Sequence, residues 1–457
     1  MSETSAKKIY TGAIILGIGT FVAKLLGAGY RIPLTRIVGA SGLGLYQMVF
    51  PVYTLLLDLS GASVPNAISK LVSSYGENKT FYAKKTLRIS LLFFSLIGLI
   101  LSLFTAFFAN AIAKAQGDIR TSYAYMFLSP SVLIVCVISC FRGYFQGFMN
   151  MTPTALSQIT EQVVKLVFGL ILADYFMPDV VKAVAGATFA ITVSELFALI
   201  QLFIFYKFRK TGGEVLAVKL TKKEFSSGLK DILSYAFPIA VTGLILPISK
   251  VIDSFLVVNI IKGYSDDATG LYGLYSGVAV TVVGLPVAIC YGIAVVAVPA
   301  VSGASGKIKK QNSFKTLFLT FAVSLLCTAA CFVFASLIVE ILFGYLPETE
   351  KEISVRLIRV SSPCIVFLSV LQTANAVLIG KSTPFKPITG MALGVAVKTV
   401  VEIFALKNPD INVFGVAYAS IACYFVADLV NLSMVLFSRG RSENEGRSVK
   451  SRRYVGT

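Results

Sequence analysis

The chain has 457 residues, 56% of them hydrophobic and 14% charged, with a mean hydropathy of +0.79. A water-facing surface needs about 25% charged side chains, so a soluble fold is excluded and a polytopic membrane protein remains. The chain has no His, which removes His triads, the usual zinc ligands and His proton relays; the net charge of +18 reads as membrane topology, with no nucleic-acid partner.

Apolar runs of span length, about 20 residues each, predict twelve transmembrane helices. They fall at 9–33, 44–68, 88–113, 121–145, 152–175, 181–206, 232–261, 271–299, 314–342, 357–379, 386–406 and 412–438. Lys7 and Lys8 precede a first span of full length, which predicts a retained helix rather than a cleaved signal. The seven Cys all lie within apolar runs and read as small core residues.

Lys and Arg concentrate in one set of connecting segments: Lys70 to Arg88, Lys207 to Lys230, Lys307 to Lys315, Lys381 with Lys386, and Arg439 to Arg453. The alternate segments hold few bases and include the acidic Ser265-Asp266-Asp267 and Pro347-Glu348-Thr349-Glu350. The positive-inside bias therefore predicts a multi-pass protein of the cell (cytoplasmic) membrane with both termini cytoplasmic. The longest polar stretch divides the chain into an N-terminal six-helix lobe (1–206), a basic cytoplasmic linker (207–230), a C-terminal six-helix lobe (231–438) and a basic, disordered tail (439–457). Six spans per half give both halves one topology, hence a parallel pseudo-twofold repeat. Gly44-Leu45-Tyr46 and Gly273-Leu274-Tyr275 are its echo in the sequence.

An ionisable group at a span centre costs at least ~2.5–3.5 kcal/mol, so it faces a cavity, a partner or both. Span one carries Lys24 and Arg31 on one face beside Gly27 and Ala28, with no acid in the span. This suits an anionic ligand, or else pairing with Asp58 in span two or Glu195 in span six. In span five, Gln158, Glu161, Gln162 and Lys165 form one polar stripe, with Glu161 and Lys165 in the favourable i,i+4 order. The stripe lines a cavity or joins helices, and Arg142 continues it at the cytoplasmic mouth. In span seven, Pro247 predicts a kink beside Lys250 and Asp253, an i,i+3 pair that can partly neutralise itself. Arg359, Lys398 with Glu402, and Asp428 read as snorkelling or locally paired groups.

These residues carry a family resemblance. Phe21 to Gly27, Arg36 to Tyr46, Arg142-Gly143-Tyr144-Phe145-Gln146-Gly147 with Met151 to Gln162, and Pro247 to Leu256 resemble the polysaccharide transporter family. That family belongs to the MATE-like multidrug/oligosaccharidyl-lipid/polysaccharide exporter (MOP) superfamily, and its nearest branches are stage V sporulation protein B and the MurJ-type lipid II flippases. The resemblance implies an all-α V of two six-helix lobes around a central cavity. It also implies alternating access that carries a polyprenyl-linked saccharide across the bilayer. Lys24 and Arg31 would hold the head group, Lys24 standing where the pattern has Arg. Twelve spans, where many relatives have fourteen, leave the choice of polyprenyl-linked saccharide open.

No phosphate-binding loop of the G-x-x-x-x-G-K-[ST] type is present, so energy would come from the membrane potential or a coupling ion. Asp58, Glu161 and Asp253 are the candidate H+ or Na+ sites; no other cofactor and no catalytic residue is expected. The expected partners are the lipid-linked saccharide, membrane lipids and a polymerase or glycosyltransferase, with the protein itself a monomer. The alternative is a cation-coupled multidrug antiporter, which predicts an acidic group early in the chain where span one has bases. An envelope enzyme would need a large extramembrane domain, and the longest loop has about 25 residues.

Overall fold

The computed structural model describes residues 3–75, 79–208, 220–302, 306–381 and 385–437. The Lys24 side chain, the linker interior 209–219 and the tail 439–457 lie outside the described residues. Among the described residues every regular element is a helix. Ten helices are long and apolar enough to cross a membrane, and a bent pair forms one more crossing. The first of the ten, Ile15–Ser74, has 60 residues and would measure about 90 Å if straight, some three times the hydrocarbon core. It breaks at Gly39, whose φ of 67° and ψ of −177° suit a residue without a Cβ.

The result is twelve spans. These are α1 (3–38), α2 (40–74), α3 (Lys79–Phe107), α4 (Ile119–Gly147), α5 (Thr152–Tyr175) and α6 (Val180–Lys207) in the first half. The second half holds α7 in two pieces (α7a, Lys222–Gly243; α7b, Ile245–Ile261), α8 (268–302), α9 (Gly306–Val333), α10 (Pro363–Gly380), α11 (Lys386–Leu406) and α12 (Phe414–Phe437). Span ten starts later than predicted, because Pro363 cannot continue the charged helix Glu348–Ser361 before it. Span nine ends earlier than predicted, breaking at Phe334 before a short helix, Ala335–Phe343. The predicted kink in α7 is a bend of 49° centred on Leu244 rather than at Pro247 itself. Pro247 has no N–H for the Gly243 carbonyl one turn earlier, so the ladder fails there.

The two halves meet at one end, called outer here after the orientation expected from Lys and Arg. Ala40, Leu43 and Met48 of α2 are buried in the same apolar cluster as Val257, Leu271, Tyr272 and Phe343 of the second half. The repeated Gly-Leu-Tyr segments pack on each other. A Cβ on Gly44 would overlap the Thr269 carbonyl, and one on Gly273 would overlap the Ala40 carbonyl and stand 2.6 Å from the Gly44 nitrogen. Only glycine lets the two backbones approach this closely. Around them Gln47 donates to the Ser276 carbonyl at 3.0 Å, Asn259 to the Ala115 carbonyl at 2.8 Å, and Lys262 to the Gly117 carbonyl at 2.9 Å. Tyr345 donates to the Ile32 carbonyl at 2.8 Å, and Thr269 to Asp118 Oδ2 at 2.8 Å.

At the opposite, inner end, α7a crosses over to the first half. Its Ile232 and Ala236 are buried with Val72, Leu87 and Tyr206, Lys70 lies 4.0 Å over the Tyr235 ring, and Lys85 pairs with Glu224 at 2.5 Å. Glu224 also closes a capping box with Thr221 that starts α7a.

Two outcomes are expected. Gly44→Ala or Gly273→Ala should destabilise the outer closure by about 1–3 kcal/mol. Labelling of a cysteine placed at Gln47 by a membrane-impermeant thiol reagent should rise accordingly. Burial works against the Asp118 charge, but hydrogen bonds from Arg120 and Thr269 outweigh it and hold the carboxyl below its ordinary range. A depressed pKa stabilises above the unfolded value of about 3.9 and is lost as pH falls through the folded one. The same labelling should therefore stay level from about pH 7 to about pH 5 and rise only below about pH 4.

Candidate functional site

The polar side chains of the spans fall into two clusters and a group between them. In the first half, α1 lies on α5 through glycine. Gly19 faces Ala155, and a Cβ on Gly27 would stand 3.0 Å from Gln162 Oε1 and 3.9 Å from the Lys165 ammonium. Thr20 donates to Gln158 Oε1 at 3.0 Å. Arg142 of α4 donates to Ser157 at 3.0 Å and pairs with Glu161 Oε2 at 3.1 Å, while Gln162 donates to Glu161 Oε1 at 3.2 Å. The predicted Glu161–Lys165 pair is therefore replaced by Arg142–Glu161. The guanidinium reaches two acceptors with one fork, which leaves the Lys165 ammonium 5.8 Å over the Tyr30 ring. Glu195 is buried, with Oε2 lacking a hydrogen-bond partner, and Glu161, Arg142 and Lys165 are the charged groups acting on it.

In the second half, Asp253 Oδ2 pairs with Lys398 of α11 at 2.5 Å, and Lys398 also reaches Ser249 at 3.5 Å. Glu402 is fully buried with both oxygens unpartnered, as is Asp253 Oδ1. Two expectations are corrected here. Asp253 is not neutralised by Lys250, because the buried Lys398 ammonium has no water to turn to and takes the carboxylate. Of the two readings of Lys398 with Glu402, snorkelling fails and pairing holds for Lys398 alone, on Asp253; both are buried members of the site, and their i,i+4 spacing in an apolar helix was the same signal that marked span five. Arg359, by contrast, is exposed and donates to Ser336 at 3.1 Å.

Between the halves stand Arg31, Asp58 and Lys250. Arg31 does not pair with Asp58 or Glu195; its Nη1 donates across the interface to Thr281 of α8 at 2.8 Å. Sequence reasoning missed Thr281, a hydroxyl in an apolar helix that nothing marks as a partner. Lys250 is exposed and makes no ion pair among the described residues. The charges acting on it come from both halves: Arg31, Asp253, Lys398 and Asp58. Asp58 opens a π-helical turn, Asp58–Ala62, and Lys250 is the charge acting on it. Thus Arg31 and Lys250 are two basic groups between the halves and Lys165 a third within the first-half cluster, none with a carboxylate within 4.0 Å among the described residues.

The family described as "Polysaccharide biosynthesis protein" matches residues 9–305. The chain belongs to that family. It is 28% identical to stage V sporulation protein B of Bacillus subtilis over 93% of this chain and 83% of that one. It is 26% identical to the lipid II flippase MurJ of Bacillus subtilis over 96% of this chain and 84% of that one. Among solved structures it superposes on an inward-facing MATE family multidrug transporter of the MOP superfamily with a TM-score of 0.76 and 15% identity, covering 94% of this chain and 96% of that one. On MurJ in an inward closed conformation the TM-score is 0.73 at 17% identity, covering 93% and 87%. With these relatives and this fold, the chain is a multi-pass membrane protein of the flippase and transporter class.

Lys398→Met would leave Asp253 and Glu402 buried without a cation. It is expected to cost about 3–5 kcal/mol, read as lost thermal stability in detergent, and Asp253→Asn in the same chain should restore much of the loss.

Proposed function

We propose that this protein carries a polyprenyl-(pyro)phosphate-linked saccharide, a lipid II or polysaccharide precursor, across the cytoplasmic membrane by alternating access. The product would feed cell-wall, spore-cortex or surface polysaccharide synthesis. The observation that carries the reading is the pair of cations without carboxylate partners between the halves, Arg31 and Lys250, with the Lys165 ammonium over Tyr30 in the adjoining first-half cluster. Positive charge left unpaired in a low-dielectric interior is stabilised by an anion, and a diphosphate is the anionic part of such a lipid carrier.

Arg31 takes the phosphate oxygens with its planar fork, and Lys250 and Lys165 close on them as point charges. Lys24 adds a further base on the same helix face. Gln158 and Gln162 offer amides to glycan hydroxyls along α5. Arg31 has a second role in the cycle, because its bond to Thr281 is one of those joining the halves. A phosphate that draws the guanidinium away from Thr281 loosens the outer closure from below, so head-group capture and outward opening are linked. The potential can bias that step, at ~2.3 kcal/mol per charge per 100 mV. Of the three candidate H+ or Na+ sites, Glu161 and Asp253 are engaged by Arg142 and Lys398, whereas Asp58 has no hydrogen bond among the described residues. Asp58 is accordingly the favoured coupling carboxylate.

The test is depletion with assay of lipid-linked precursor on the cytoplasmic leaflet, complemented by variants. Lys24→Ala with Arg31→Ala is expected to lower translocation at least tenfold with folded yield unchanged, and Arg31→Lys to recover part of it. Normal translocation by the double variant would overturn the head-group assignment.

A further inference from the structure

A second cationic site lies outside the space between the halves, at the inner end of the second half. There the first turns of α9, the end of α10, the start of α11 and the last turn of α12 converge. Lys309 and Lys310 project from α9, Lys381 follows α10 and Lys386 opens α11. The segments 303–315 and 381–389 contain no acidic residue. None of the four lysines makes an ion pair among the described residues. Lys381 is held in place: its ammonium donates to the Val435 carbonyl at 2.6 Å, where the end of a helix favours a cation. Burial, together with the charges of Lys309, Lys386 and Lys310, pushes its pKa below the ordinary lysine value.

The corresponding end of the first half is built differently. Lys85 at the start of α3 pairs with Glu224 and lies 4.7 Å over Phe81, Lys79 lies 5.1 Å over Phe148, and Arg142 at the end of α4 pairs with Glu161. At that end Lys85 has a carboxylate partner, whereas none of the four second-half lysines has one among the described residues. Beside the second-half lysines the surface is apolar and exposed. Phe314 and Phe318 are 67% and 63% exposed, with rings 6.4 Å apart at 15°, and Phe385 is 59% exposed. A cationic cluster rimmed by lipid-facing aromatic side chains matches a ligand with an anionic head and an acyl tail.

We infer that Lys309, Lys310, Lys381 and Lys386 seat the phosphate of an anionic phospholipid from the leaflet at this end of the bundle, its acyl chains lying against Phe314 and Phe318. The site is separate from the transported head group and does not depend on which saccharide is carried. A phosphate there meets several basic groups near the membrane surface, each contributing on the order of 1 kcal/mol, around the Lys381 ammonium that the Val435 carbonyl holds in place.

The experiment uses the purified full-length chain, titrated with phosphatidylglycerol or phosphatidylcholine and read by native mass spectrometry. The wild type should retain phosphatidylglycerol in preference to phosphatidylcholine. Lys309→Gln with Lys310→Gln should reduce that retention at least about tenfold, since each basic residue contributes on the order of a fivefold factor. Lys70→Gln with Lys84→Gln, at the inner end of the first half, should leave it unchanged. Because Lys381 also holds α12, the pair on α9 is the primary variant, and Lys386→Gln alone gives an independent second reading. Equal retention of the two lipids by the wild type, or phosphatidylglycerol retention unmoved in both variants, would overturn the inference. Displacement of phosphatidylglycerol by excess inorganic phosphate would overturn its lipid part and assign the seat to a soluble phosphate.

Discussion

A charge in a slab without water must find a partner, a ligand or a route to the surface, and this structure is arranged around that requirement. Arg142 with Glu161 and Lys398 with Asp253 meet it by pairing between helices, one pair in each half. Each pair ties together spans that apolar packing alone would leave free to slide, because lipid offers Leu and Ile as good an environment as another helix does. Of the cations that remain, Arg31 and Lys250 stand between the halves, while Lys165 lies over Tyr30 within the first. Inside the spans the ion pairs lie within a half, and Arg31 and Lys250 between the halves are left without a carboxylate within 4.0 Å among the described residues.

The closure of the outer end rests on a different physical element, backbone approach. Gly44 and Gly273 allow α2 and α8 to touch where any side chain would intervene, and the surrounding bonds run mostly to main-chain carbonyls. Such contacts are indifferent to the chemistry of a passenger. The buried polar groups and the outer closure are thus built from separate residues, linked through Arg31 and its Thr281 partner.

Hydropathy made most of this architecture legible, because span length and Lys/Arg placement answer to the bilayer and not to tertiary detail. The repeat showed in a three-residue echo whose meaning is spatial: the two copies are the point where the halves touch. What sequence could not assign was choice among partners. Glu161 had Lys165 at ideal helical spacing and took Arg142; Asp253 had Lys250 three residues away and took Lys398. In each case the competitor came from another helix and offered better geometry or deeper burial, quantities that spacing does not encode. The bend in α7 was foreseen in kind and displaced by three residues, since a proline acts on the carbonyl of the preceding turn.

The division of α7 has a consequence for how the chain is threaded. The piece α7a packs with the first half, while α7b is joined to α11 of the second through Asp253 and Lys398, so the covalent passage from one half to the other runs through the bend at Leu244. The chain enters α7a at a cap closed by Thr221 and Glu224, and Glu224 also ties that end to Lys85 of α3. The route from one half to the other is thereby pinned at two places along a single helix, its cap and its bend.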